Sequence, residues 1–237
     1  MTKNVISAII QRMKNPFKLL TKFDYIFWSI SVTVLIVFFA VFKGDVLTLI
    51  CSLIGITGLI FIAKGHVLGQ IITIIFALIY AVVSFSYRYY GELITYAFMS
   101  LPMAVISLIS WIKHPYKDSG EVEISKVSKK HIIICTLLTS AITIGLYFLL
   151  KFFDTPNLIV STISVVTSFV AVYLTALRSP YYAVAYACND IVLIILWVLA
   201  TVDSISYLPM VICFCIFFLS DIYGFVSLKI RQKRQSK

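Results

Sequence analysis

Apolar residues gather along this chain in eight runs, at residues 25–42, 46–63, 67–86, 93–112, 131–150, 158–177, 181–200 and 205–227, with polar and charged residues between them. A helix rises 1.5 Å per residue, so about twenty residues cross about 30 Å of hydrocarbon, and each run is near that length. Backbone groups in lipid must bond to one another, which leaves helices or a closed barrel, and the ten-residue alternation of barrel strands is absent. The pattern predicts an all-α integral membrane protein with eight transmembrane helices.

Composition narrows the class. Of 237 residues, 61% are hydrophobic and 13% charged, with a mean hydropathy of +1.01. A water-soluble core of this size could not hide so much apolar surface, which excludes a soluble enzyme or nucleic-acid binder. The net charge of +10 reads as topology rather than recognition. With the N-terminus inside, 17 of the 20 bases fall on the cytoplasmic side and only Lys43, Arg88 and Lys151 outside. Lys and Arg are retained in the cytoplasm as helices insert, so both termini and the 113–130 connection are expected there.

The same pattern divides the chain. Residues 1–24 carry five bases with Ile6, Ile9, Ile10 and Met13 at helical spacing, and read as a cytoplasmic basic amphipathic segment. An extra N-terminal transmembrane helix follows over 25–45. Residues 46–112 and 158–227 each hold three helices, residues 113–157 supply a cytoplasmic loop and a linking helix, and 228–237 form a basic cytoplasmic tail. Each triplet has one base after its first helix, Lys64 or Arg178. One helix separates the triplets, so they enter the membrane in the same sense, as parallel repeats do.

Two acids fall inside the runs, Asp190 and Asp221, while the others lie in loops or near helix ends. A charge at bilayer depth costs several kcal/mol or more, so such a group normally faces the bundle interior or is paired. Tyr182, Tyr186, Asn189, Asp190, Leu193 and Trp197 recur at steps of three and four, which puts them on one helical face. Packing offers one explanation, because Asn and Asp also join membrane helices at about 1 kcal/mol a contact. An adjacent amide and carboxylate on an aromatic stripe favour a ligand instead. The pair can share hydroxyl hydrogens, and Trp and Tyr faces stack on a planar ring, more strongly if it is cationic. That chemistry fits a nucleoside-like molecule.

A second wall is expected on the third helix, where Gln70, Thr73, Ala77 and Tyr80 share a face and Gly69 permits close packing. Pro102 interrupts the fourth helix and offers a kink. No GxxxxGK[ST] phosphate loop, GxSxG or HExxH motif is present, and no helix is rich in Arg, which leaves a passive or secondary carrier as the default and no enzyme activity expected. An integral-membrane enzyme or sensor using Asp190 and Asp221 is the reading from another class. The five cysteines lie in apolar stretches without CxxC spacing, so neither metal nor cofactor is expected. His66, His114 and His131 sit at helix ends and read as interfacial or capping residues.

Several strings together resemble the PnuC-type vitamin transporters, which carry nicotinamide riboside and related compounds. They are AKGHVLGQ leading to Tyr80, YYGE at 89–92, SLPM at 100–103 with SWIKH at 110–114, NDIVLIILW at 189–197 and SDIYGF at 220–225. The resemblance implies a 3+1+3 arrangement like that of the SWEET sugar transporters, preceded by an extra helix, in a bacterial plasma membrane. It implies a substrate held between the triplets by Asn189 and Trp197 with Asp190 beside them, and by Asp221 and Tyr223. The fourth helix departs from the family pattern, with Ala104 after LPM and no amide close after GE, where Tyr96 stands instead. Facilitated diffusion, with a cytosolic kinase trapping the vitamin, is the implied mechanism. Proton symport, a thiamine, riboflavin or deoxynucleoside cargo, and self-association stay open.

Overall fold

The computed structural model describes residues 16–86, 89–117 and 119–236. The amphipathic segment expected over 1–24 lies mostly outside these residues. Among the described residues, eight helices are long and apolar enough to cross a membrane: α1 Lys22–Val41, α2 Val46–Ala63, α3 Val67–Ser86, α4 Tyr90–Lys113, α5 Lys129–Phe152, α6 Leu158–Ala176, α7 Tyr181–Asp203 and α8 Leu208–Gln235. Short 3-10 turns occupy Pro16–Leu19 and Ile205–Tyr207. No strand forms among the described residues beyond two isolated antiparallel bridges, His66 with Glu121 and Pro115 with Val122.

Helix ends follow local chemistry. Thr21 and Asp24 form a reciprocal capping box that starts α1 at Lys22, ahead of the apolar run. Asp45 and Ser128 accept from the backbone N–H groups of Thr48 and His131 to cap α2 and α5. His66 behaves as a capping residue, its Nδ1 accepting from the Leu68 N–H at 3.1 Å. α8 runs to Gln235, beyond residue 227 where the apolar run stops. Apolar length measures the lipid crossing, and a polar tail of good helix formers can continue past it.

Pro102 is accommodated by a defect. α4 is α-helical over Tyr90–Ile94, π-helical over Thr95–Ser100 and α-helical again over Leu101–Lys113, so the wide turn directly precedes the proline. A π turn shifts the hydrogen-bond register, which removes the donor that proline cannot supply and the clash it would cause. Pro209 sits instead in the first turn of α8, where no donor is needed. The LPM at 208–210 therefore does not occupy the place in its triplet that the LPM at 101–103 occupies in the other.

Six helices close a ring, each packed on the next in the order α2, α3, α4, α6, α7, α8 and back to α2. α1 lies outside it against α2 and α8, and α5 packs against α6 with only Cys135, Thr139 and Leu150 buried. Gly69 brings α3 onto α2, since a Cβ there would stand 2.6 Å from the Ile62 nitrogen. The turns after α2 and α6 have the same hydrogen-bond pattern: Gly65 to Ile62 with His66 to Phe61, and Arg178 to Thr175 with Ser179 to Leu174. Both turn on a positive φ, 67° at Gly65 and 58° at Arg178.

Candidate functional site

The ring encloses a cavity to which all six helices contribute. Gly55, Gly58 and Ile62 of α2 face Gln70, Thr73 and Phe76 of α3; Tyr96, Ser100, Ala104 and Ser107 come from α4; Ser168, Val172 and Thr175 from α6; Tyr186, Asn189 and Asp190 from α7; and Phe214, Phe217 and Asp221 from α8. No Lys, Arg or His among the described residues lines it.

Its polar groups are held in place by neighbours. The Asn189 side-chain oxygen accepts from Thr167 Oγ1 at 2.8 Å and from Ser168 Oγ at 2.9 Å, which leaves the amide NH2 as the end free to meet a ligand. Asp190 and Asp221 both line the cavity, and Asp190 Oδ2 is buried with no hydrogen-bond partner among the described residues. Gln70 Nε2 and Ser107 Oγ are buried on the cavity wall with no partner among the described residues. A buried donor left unmade costs about 1–3 kcal/mol, so these atoms mark where an incoming polar group would be stabilised.

Six of the nine site residues singled out in the sequence come together here: Gln70, Tyr96, Tyr186, Asn189, Asp190 and Asp221. Three do not line the cavity. Trp197 donates from Nε1 to the Tyr80 hydroxyl at 3.3 Å, and its ring lies 5.1 Å from Tyr89 and 6.0 Å from Tyr207. Tyr80 packs 4.3 Å from the Tyr96 ring, so it backs the wall rather than forming it. Tyr223 lies against α1, where its hydroxyl donates to Asp24 at 2.7 Å and accepts from Lys64 at 2.7 Å.

Two of the acids at helix ends are buried. Asp24 is sealed in an ion pair with Lys64 at 2.7 Å, so a base read only as a topology signal is also a buried structural partner. Glu92 is buried, accepting from Ser164 Oγ at 3.2 Å, with Oε2 unpartnered among the described residues. Sequence reasoning also passed over Ser107 and the Ser164, Ser168, Thr175 edge of α6. The α6 spacing was a visible signal, but Ser and Thr are common on membrane helices and bond their own backbone.

Three comparisons bear on this geometry. A family model described as nicotinamide mononucleotide transporter matches residues 45–229. The nicotinamide riboside transporter PnuC of Neisseria mucosa is 23% identical over 192 residues, covering 79% of this chain and 73% of that protein. A crystal structure of the vitamin B3 transporter PnuC superposes with a TM-score of 0.76 at 19% identity, over 91% of this chain and 94% of that one. At that identity the superposition shows a shared fold. The family match takes in α2 to α7 and the membrane-crossing part of α8, every helix that builds the cavity, and the chain belongs to the nicotinamide mononucleotide transporter family.

Proposed function

We propose that this multi-pass membrane protein carries nicotinamide riboside, bound in the cavity of the six-helix ring. The observation that carries the reading is the cavity's lining: two carboxyl groups, amides, hydroxyls and aromatic rings, with no Lys, Arg or His among the described residues. A riboside presents a planar cationic ring, a carboxamide and sugar hydroxyls. Tyr96 and Tyr186 suit the ring, Asp190 and Asp221 suit its charge and the hydroxyls, and Gln70, Ser107 and Asn189 suit the remaining polar groups. A mononucleotide adds a phosphate, which in a buried site calls for cationic partners, and none lines the cavity among the described residues.

Transport is facilitated diffusion in this reading, in keeping with a sequence that has no phosphate loop, and a cytosolic kinase traps the vitamin as its phosphate. The termini and the 113–130 connection face the cytoplasm, on the side where 17 of 20 bases fall. One observation favours a second reading: Asp190 and Asp221 both line the cavity and could pass a proton with the cargo, as intramembrane acids do in symporters.

Labelled riboside offered to proteoliposomes with no energy source tests both. It should equilibrate down its gradient, the mononucleotide should stay outside, and thiamine, riboflavin and deoxynucleosides should compete weakly. Accumulation above equilibrium that collapses with a protonophore would establish symport, and equal passage of the mononucleotide would overturn the charge argument.

A further inference from the structure

The connection between α4 and α5 is polar in sequence, yet part of it is built into the bundle. Glu121 is 3% exposed and paired with both Arg231 and Arg234 on the tail of α8. Val122, 2% exposed, packs in one apolar cluster with Ile62, Trp111, Tyr182 and Leu228. That cluster lies directly against the cavity. Ile62 lines the cavity wall, and Tyr182 stands one helical turn from Tyr186, which lines it too.

The segment also ties the two triplets together. The Val122 N–H donates to the Gly65 carbonyl at 2.8 Å in the turn after α2. Ser125 donates from its N–H to the Arg178 carbonyl at 3.2 Å and from its hydroxyl to the Leu177 carbonyl, in the matching turn after α6. Gln235 closes it from behind, donating to the Val122 carbonyl at 3.1 Å and accepting from the Ile124 N–H at 2.8 Å. Beneath it the Tyr182 hydroxyl donates to the Ile62 carbonyl at 3.1 Å, a direct bond between triplets. Parting the triplets at this end breaks one set of these bonds or the other.

We propose that residues 119–126 form a strap that gates this end of the transport path, with Val122 as the plug and Glu121, held by Arg231 and Arg234, as the latch. The inference rests on the carrier reading. A loop that merely decorates the bundle has no need to bury a carboxylate between two arginines, or to bond the equivalent turns of both triplets. The gate opens when the strap lifts away from α8 and frees Tyr182 and Ile62 to separate. Opening exposes the latch to water, where the freed ions are well solvated, so the step can reverse.

Cross-linking tests the strap. With the five native cysteines replaced, Val122→Cys and Leu228→Cys would be joined by a short bifunctional thiosulfonate. Uptake of labelled riboside into proteoliposomes should fall by about tenfold or more and return on reduction, while riboside binding in detergent stays within about threefold. Cross-linked protein that transports as fast as the unlinked protein overturns the gate. Failure of the carrier reading shows separately, as no uptake by the reduced protein. The strap then stands or falls on a readout that uses no substrate. Val122→Cys should react with a membrane-impermeant maleimide about tenfold faster once Glu121→Gln or Arg234→Ala is added, and equal rates overturn the latch.

Discussion

Trp197 and Tyr80 bond to each other, indole nitrogen to hydroxyl at 3.3 Å, and both are sealed from solvent at 0% and 1% exposure. They join α7 to α3 behind the cavity wall, and Tyr80 in turn meets Tyr96, which forms that wall. Trp197 thus supports the site through two tyrosines. Trp197→Phe should keep most of the packing and alter riboside affinity by less than about threefold. Trp197→Ala should lower stability by about 3–5 kcal/mol, as deletion of a large buried aromatic does. Calorimetric titration and thermal unfolding of the purified variants separate the two effects; a loss of affinity in Trp197→Phe equal to that in Trp197→Ala would put the indole itself on the ligand.

Asn189 should matter to the ligand directly. Asn189→Leu removes the amide from the cavity and strips Thr167 and Ser168 of their shared acceptor. Riboside affinity should fall by about ten- to hundredfold, or about 1–3 kcal/mol. Thr167→Val with Ser168→Ala keeps the amide but frees it to turn, so titration should show a smaller loss. A larger loss in that double variant would make the hydroxyls, rather than the amide, the ligand's partners.

The sequence shows direction around a helix better than depth along it. Lipid demands about twenty apolar residues per crossing, so the eight spans were legible, each within a few residues except at the tail of α8. Three- and four-residue spacing correctly joined Tyr186, Asn189 and Asp190 on one face, but the stripe runs the length of α7 while the cavity is only part of that length. Trp197 lies about 12 Å along the axis from Asn189, beyond the wall. Tyr223 could not share a face with Asp221, because two residues turn a helix by about 200°. The Asp24–Lys64 pair joins positions far apart in sequence on α1 and after α2, and no local spacing reports such a contact.

That pair gives a stability prediction. Its side chains are 0% and 3% exposed, and Tyr223 bridges them. Removing one partner leaves a buried charge alone, which costs about 3–5 kcal/mol, whereas removing both can be nearly neutral. Asp24→Asn and Lys64→Met should each lower the thermal midpoint in detergent, and the double variant should recover much of the loss. Additive single effects would show that the two groups do not interact.

Topology follows from the distribution of bases. Reporter fusions at Ser119 and after the C-terminus should both report the cytoplasm, because 17 of 20 bases lie on that side of an eight-span chain. A fusion reporting the outside at either point would reverse the strap's placement along with the span count.

Glu92 carries the last prediction. It is buried one turn before Tyr96, and its partner Ser164 stands one turn before Ser168, so its carboxyl lies about 5 Å along the axis from cavity-lining side chains. One oxygen has no partner and no base is bonded to it among the described residues. A lone buried carboxyl is costly to keep, and a passing cation would offset that cost. Glu92→Gln nearly preserves size and the Ser164 bond, so the protein should fold. Uptake of the cationic riboside should then drop by about tenfold, while uptake of any neutral nucleoside the protein accepts should not. Counter-flow assays with the two cargoes side by side measure the ratio. A parallel drop for both would give Glu92 a packing role.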